Sequence, residues 1–182
     1  MTSIDTARTL TGERADILET LRAHRGFLRY TVRDLTDEQA TRRTTVSELC
    51  LGGLIKHVTE GERGWIDFIL SGPAALASGD KDFSEWTEED FAVYANAFRM
   101  LPGETLVGLL AEYDRVAERT DELVASLPDL EISHPLPRAP WFEPGAVRSA
   151  RRVLMHIIAE TAQHAGHADI LREALDGAKT MG

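Results

Sequence analysis

Cysteine is nearly absent from this chain: Cys50 stands alone among 182 residues. One thiol closes no intrachain disulfide and offers no cysteine pair for a structural metal site, so a reducing, cytoplasmic setting is expected. Basic residues are also few, with 20 Lys and Arg against 30 Asp and Glu, a formal charge of −10. A surface of that sign repels phosphate backbones and anionic lipid headgroups, and no Lys/Arg cluster stands out against it. Neither nucleic acid nor a membrane is an expected partner. No apolar run approaches the ~18 residues of a membrane span, and the amino terminus carries no signal-peptide apolar core. There is no glycine-rich phosphate loop, no Ser/His/Asp order and no internal repeat. Of the 7 prolines, Pro128, Pro135, Pro137, Pro140 and Pro144 crowd into one stretch, which leaves long segments free to be helical.

Four such segments carry apolar residues at three- and four-residue spacing. The first is predicted over 6–35, with Leu10, Ile17, Leu18, Leu21, Phe27, Leu28 and Val32 facing inward and His24 partly exposed. Thr36 and Gln39 have capping-box spacing and predict a short capped turn. Thr45 and Glu48 repeat that spacing and predict the start of a second long helix from 46 to about 70. Its buried face is Leu49, Leu54, Val58, Trp65, Phe68 and Ile69, with Glu60 and Glu62 in solvent. Residues 71–103 are loop, interrupted by a short helix that Thr87 caps and that bears Phe91, Tyr94 and Phe98. A third long helix is predicted from 104 to about 127, with a charged outer face that includes Glu112 and Arg119. Residues 127–145 are a proline-rich loop whose Trp141 and Phe142 cover one end of the bundle, and whose His134 has no spacing partner. The fourth helix is predicted over 147–176. The expected fold is all-α, with residues 1–182 forming one four-helix bundle domain and a short extra helix in the loop between helices 2 and 3.

The fourth helix holds the anomaly. On a wheel of ~100° per residue, His156, His164 and His167 all lie within about 40° of Glu160. Val153, Ile157 and Leu171 share that face, whereas Arg151 and Asp169 lie opposite. One carboxylate and three imidazoles therefore point into the apolar half of the helix, and burying them costs free energy unless they are paired. A metal ion satisfies several of them together. Residues four apart have Cβ atoms only ~5–6 Å apart, so Glu160 and His164 can both reach one ion through bonds of roughly 2 Å. The alternative is an ordinary stripe in which Glu160 ion-pairs with His156 or His164. A metal site needs ligands from more than one element, and His57, next to Val58 on the second helix, is the candidate third. Alone it reads equally as a core histidine with a hydrogen-bond partner. Cys50 reads as a core residue rather than a nucleophile.

Residues 49–65 and 148–173, with the Leu35-Thr-Asp-Glu-Gln-Ala40 turn, resemble the DinB/YfiT-like metalloenzyme family, close to its mycothiol-dependent maleylpyruvate isomerases. The resemblance covers nearly the whole chain. It implies a divalent metal, zinc or nickel, held by His57, Glu160 and His164, with glutamate standing where many members have histidine. It also implies a low-molecular-weight thiol such as mycothiol as cosubstrate, and transferase or isomerase activity on a small-molecule substrate. His167 sits where many relatives have glutamine. With His156, it is the expected catalytic residue, orienting a ligand or moving a proton. Metal-assisted hydrolysis and a non-catalytic, stress-associated metal-binding bundle are the alternatives, and the family's habit of pairing implies a homodimer.

Overall fold

A computed structural model describes residues 10–76 and 85–180. Four long helices form the body: α1 (Glu13–Thr31), α3 (Leu51–Ser71), α5 (Leu106–Ser126) and α6 (Ala150–Asp176). Between them lie two short helices, α2 (Asp37–Thr41) and α4 (Glu88–Asn96), and two three-residue strands, β1 (Ser133–Pro135) and β2 (Val147–Ser149). The chain is an all-α bundle with an extra helix, α4, in the connection between the second and third long helices. Helix α1 packs on α6, and α3 packs on both α5 and α6. One core cluster joins Leu21, Ile66, Phe68, Val124, Leu154 and Ile157; a second joins Leu28, Leu54, Ile55, Tyr113, Ala168 and Leu171. Among the described residues no helix is long and apolar enough to cross a membrane.

Two helix starts follow from their caps as the spacing predicts. Thr36 with Gln39, and Thr87 with Asp90, form reciprocal capping boxes. The part of the first predicted helix before residue 10 lies outside the described residues. Its described part begins at Glu13, after Gly12 at φ 66, and ends at Thr31, four residues short of Leu35. Phe27, expected on the inner face, is 40% exposed.

Three expectations are corrected. The second long helix starts at Leu51, not at residue 46. The Thr45 hydroxyl accepts from the Ser47 N–H and the Ser47 hydroxyl accepts from the Leu49 N–H, so these side chains stabilise a run of turns instead of a capping box. Glu48 pairs with Arg43 at 2.7 Å, away from the helix axis, and Cys50 becomes the N-cap residue. The fourth helix starts at Ala150 because residues 147–149 pair with β1 in an antiparallel ladder, His134 opposite Arg148. Glu62 lies in the core and not in solvent, at 2% exposure.

The start of α3 also sets the position of α4. A Cβ on Gly53 would lie 2.5 Å from the Phe98 carbonyl carbon and 2.9 Å from the Arg99 nitrogen. Only glycine lets the chain after α4 come this close to the helix. That contact brings the Phe98 ring over His57, one turn further along α3.

Candidate metal centre

Helix α6 carries three of the expected residues one turn apart. The Glu160 carboxylate lies between two imidazoles, with Oε1 3.7 Å from His156 Nε2 and Oε2 3.5 Å from His164 Nε2. His57 approaches from α3. Its ring meets His164 edge-on, centroids 4.8 Å apart, and stacks on Phe98 at 3.9 Å. One donor atom each from His57, Glu160 and His164 lies within 4.8 Å of the others. Two metal–ligand bonds of ~2.1 Å span at most ~4.2 Å, so the three donors are within about an ångström of closing on one ion. Two imidazoles and one carboxylate are also a donor set that catalytic zinc accepts. Among the described residues the His57 ring has no hydrogen-bond partner, which leaves its nitrogens to a ligand.

The local electrostatics favour ligation. Burial, then the His164 ring, push the His57 pKa from its ordinary 6.5 down to about 4, against the pull of Glu160. At neutral pH His57 is therefore an uncharged imidazole, the form that binds metal. Glu160 is held below the usual carboxylate range chiefly by its contact with His164, against its partial burial. His156 is also lowered, first by burial and further by Arg148 and Arg152, with Glu160 opposing.

His156 and His167 flank this group along α6. His167 Nδ1 lies 3.4 Å from His164 Nδ1, so it contacts the ring nitrogen of His164 that points away from Glu160. His156 sits edge-on to Trp65, centroids 4.9 Å apart, on the wall of a cavity of about 580 Å³. The same cavity is lined by His57, Glu160 and His164, and by the aromatic side chains of Tyr94, Phe98, Trp141 and Phe142. His24 is remote from it, edge-on to Phe27 in α1. Cys50 is buried at the start of α3.

Three residues at or behind the cavity were not legible in the sequence. Glu62, at the cavity floor, is bound by the Arg25 guanidinium from α1 and by the Thr120 hydroxyl, at 2.5 Å, from α5; Arg25 also donates to Asp121 at 2.8 Å. An inward glutamate and an inward arginine on separate helices announce no pairing in the sequence. Arg148 reaches the cavity from β2, with its guanidinium carbon 4.9 Å above the Trp65 ring and 5.2 Å from that of Phe142. His134, in β1, holds the ladder in place. Its Nε2 is 3.1 Å from the Ile69 carbonyl, which only accepts, so Nε2 carries the hydrogen. The ring rests where Gly72, at φ 79, ends α3 and leaves room that a Cβ would take, 3.2 Å from His134 Nδ1.

No curated protein matches the chain. Among solved structures, the crystal structure of a conserved protein from Enterococcus faecalis shares the fold. The TM-score is 0.65 at 14% identity, over 93% of this chain and 100% of that one. The family model described as mycothiol-S-transferase matches residues 16–177, which agrees with the DinB-like resemblance of the two longest sequence segments. The chain belongs to the mycothiol-S-transferase family.

Proposed function

We propose that this protein is a divalent-metal-dependent S-transferase that uses a low-molecular-weight thiol of the mycothiol type. In the reaction the thiol sulfur bonds to an electrophilic carbon, the thiol proton goes to a base, and the displaced group leaves with its bonding electrons. The observation that carries this reading is the convergence of His57, Glu160 and His164 on the wall of an aromatic cavity in a chain of this family. When bound, a zinc- or nickel-class ion supplies Lewis acidity that lowers the pKa of a thiol presented to it.

The rest is the work of the chain. His57 and His164 offer neutral donors from two helices, and Glu160 adds one negative charge, which makes the site less electrophilic than three imidazoles would. His167, against the Nδ1 side of His164, orients that ring, as outer partners of ligating histidines do. His156 is held neutral by burial and stands one turn from Glu160, so it is the base placed to receive the thiol proton. Phe98, Tyr94 and Phe142 give the cavity beside these donors an aromatic wall.

Elemental mass spectrometry on untagged protein tests this first. Near-stoichiometric divalent metal is expected in the wild type, falling at least about tenfold in His57→Ala and in His164→Ala. Thiol-dependent turnover should vanish with it. Turnover that needs water and no thiol would replace the reading with a hydrolase. Metal retained without turnover would replace it with a binding bundle, and a wild type that takes up no divalent ion would overturn it.

A further inference from the structure

Among the described residues, each arginine that is at least partly buried has a carboxylate or a carbonyl as partner, except at one place. Arg25 has Glu62 and Asp121, Arg172 has Asp176 and two backbone carbonyls, and Arg151 has Glu13 and Glu131. Arg148 has none of these. Its Nη1 is shut off from solvent without a hydrogen-bond partner, and among the described residues no acidic side chain pairs with it. A partly buried guanidinium without an acceptor costs free energy that a chain with 30 acidic residues could readily have avoided. Burial and the neighbouring Arg152 press its pKa down, which shows how little negative charge surrounds it.

The group is also held in place. Trp65 and Phe142 lie against the guanidinium, which restricts its motion; with Nη1 shut off from solvent, the remaining N–H groups are the ones that meet a ligand. The backbone at Arg148 is pinned by the ladder to His134, which is itself anchored on α3. Arg148 lines the same cavity as the three candidate ligands, with Trp65 and His156 between them. The guanidinium carbon lies 4.9 Å from the Trp65 ring, that ring 4.9 Å from His156, and His156 Nε2 3.7 Å from Glu160, so an indole and an imidazole stand between Arg148 and the candidate ligands along the cavity wall.

We propose that Arg148 is the carboxylate-binding residue of this cavity. The second substrate is then an elongated electrophile with a carboxylate at the end opposite its reacting carbon. This rests on the S-transferase reading for the reaction, but not for the binding. Mycothiol carries no carboxylate, so the anion belongs to the electrophile. Planar guanidinium donors suit a planar carboxylate, and aromatic walls suit an apolar spacer between the two ends.

The test separates the two readings. Calorimetric titration of the metal-free, full-length protein with 4-methylbenzoate and with 4-methylbenzamide needs neither metal nor thiol. The carboxylate should bind on the order of tenfold more tightly than the amide. In Arg148→Gln the preference should fall to about one, with amide affinity unchanged, and Arg148→Lys should retain part of it. A preference that is absent in the wild type, or that survives in Arg148→Gln, overturns the proposal. So does equal loss of both ligands, which would make Arg148 a packing residue only. Should Arg148→Gln fail to fold, the Arg148 Nε–H resonance of the wild type decides. A shift with the benzoate and not the benzamide supports the proposal, and no shift sinks it. With metal and mycothiol present, kcat/KM for 4-(chloromethyl)benzoate over its amide should show the same Arg148 dependence, chloride leaving as the carbon–sulfur bond forms. A binding preference without turnover would remove the transferase reading and keep the subsite.

Discussion

Substituting Gly53 by alanine tests how the fold builds the site. The new Cβ would meet the Phe98 carbonyl carbon at 2.5 Å and the Arg99 nitrogen at 2.9 Å. Carbon–carbon contacts are comfortable at about 3.5 Å or more, so the backbone after α4 must retreat by on the order of 1 Å. Neither partner is a flexible side chain that can swing aside. Overpacking of this kind costs about 1–3 kcal/mol, partly offset by the roughly 1 kcal/mol that alanine gains over glycine within a helix. For a chain of this size each kcal/mol moves Tm by roughly 2–4 °C, so Gly53→Ala should lower Tm by a few degrees. The control is Gly26→Ala in α1, where a Cβ meets nothing within 4 Å. It should raise stability by about 0.4–1 kcal/mol. Because the retreating segment carries the Phe98 ring stacked on His57, metal affinity should also fall, on the order of tenfold, in Gly53→Ala and not in Gly26→Ala. Calorimetric scanning and a competitive chelator titration read both effects. Two alanine variants that behave alike would refute the close approach. A drop in Tm with full metal affinity would refute the claim that Phe98 positions His57.

Two further outcomes follow from buried charge. Glu62→Ala leaves the Arg25 guanidinium with Asp121 alone and takes away the acceptor of the Thr120 hydroxyl, and should cost about 1–3 kcal/mol by urea unfolding, whereas the double change Arg25→Met with Glu62→Leu should recover most of it. Metal-free protein should lose stability as pH falls from about 6.5 toward 4, because in that window His57 takes up its proton only on unfolding. His156, also lowered, adds to the loss with the same sign, and Glu160, lowered from 4.5, adds its own as pH drops below that value. Urea midpoints measured at pH 7, 6 and 5 should therefore decline, and His57→Phe should flatten the slope.

The helices, the capping boxes at Thr36 and Thr87, and the grouping of Glu160 with His156, His164 and His167 were determined by the sequence itself. All depend on separations of three or four residues along one helix, and the helical repeat turns such spacing directly into neighbourhood. His57 was legible only as an inward residue on another helix; its place beside His164 depends on the rotation and offset of α3 against α6, which no local pattern encodes. The same limit hid Glu62. An inward glutamate reads as misplaced or solvated until Arg25 and Thr120, from two other helices, are seen to bind it. Local spacing places Arg148 in the first turn of a helix, but a three-residue β-ladder with His134 opposite Arg148 brings it to the cavity. Local spacing wrote the ligand stripe; packing between helices decided what faces it.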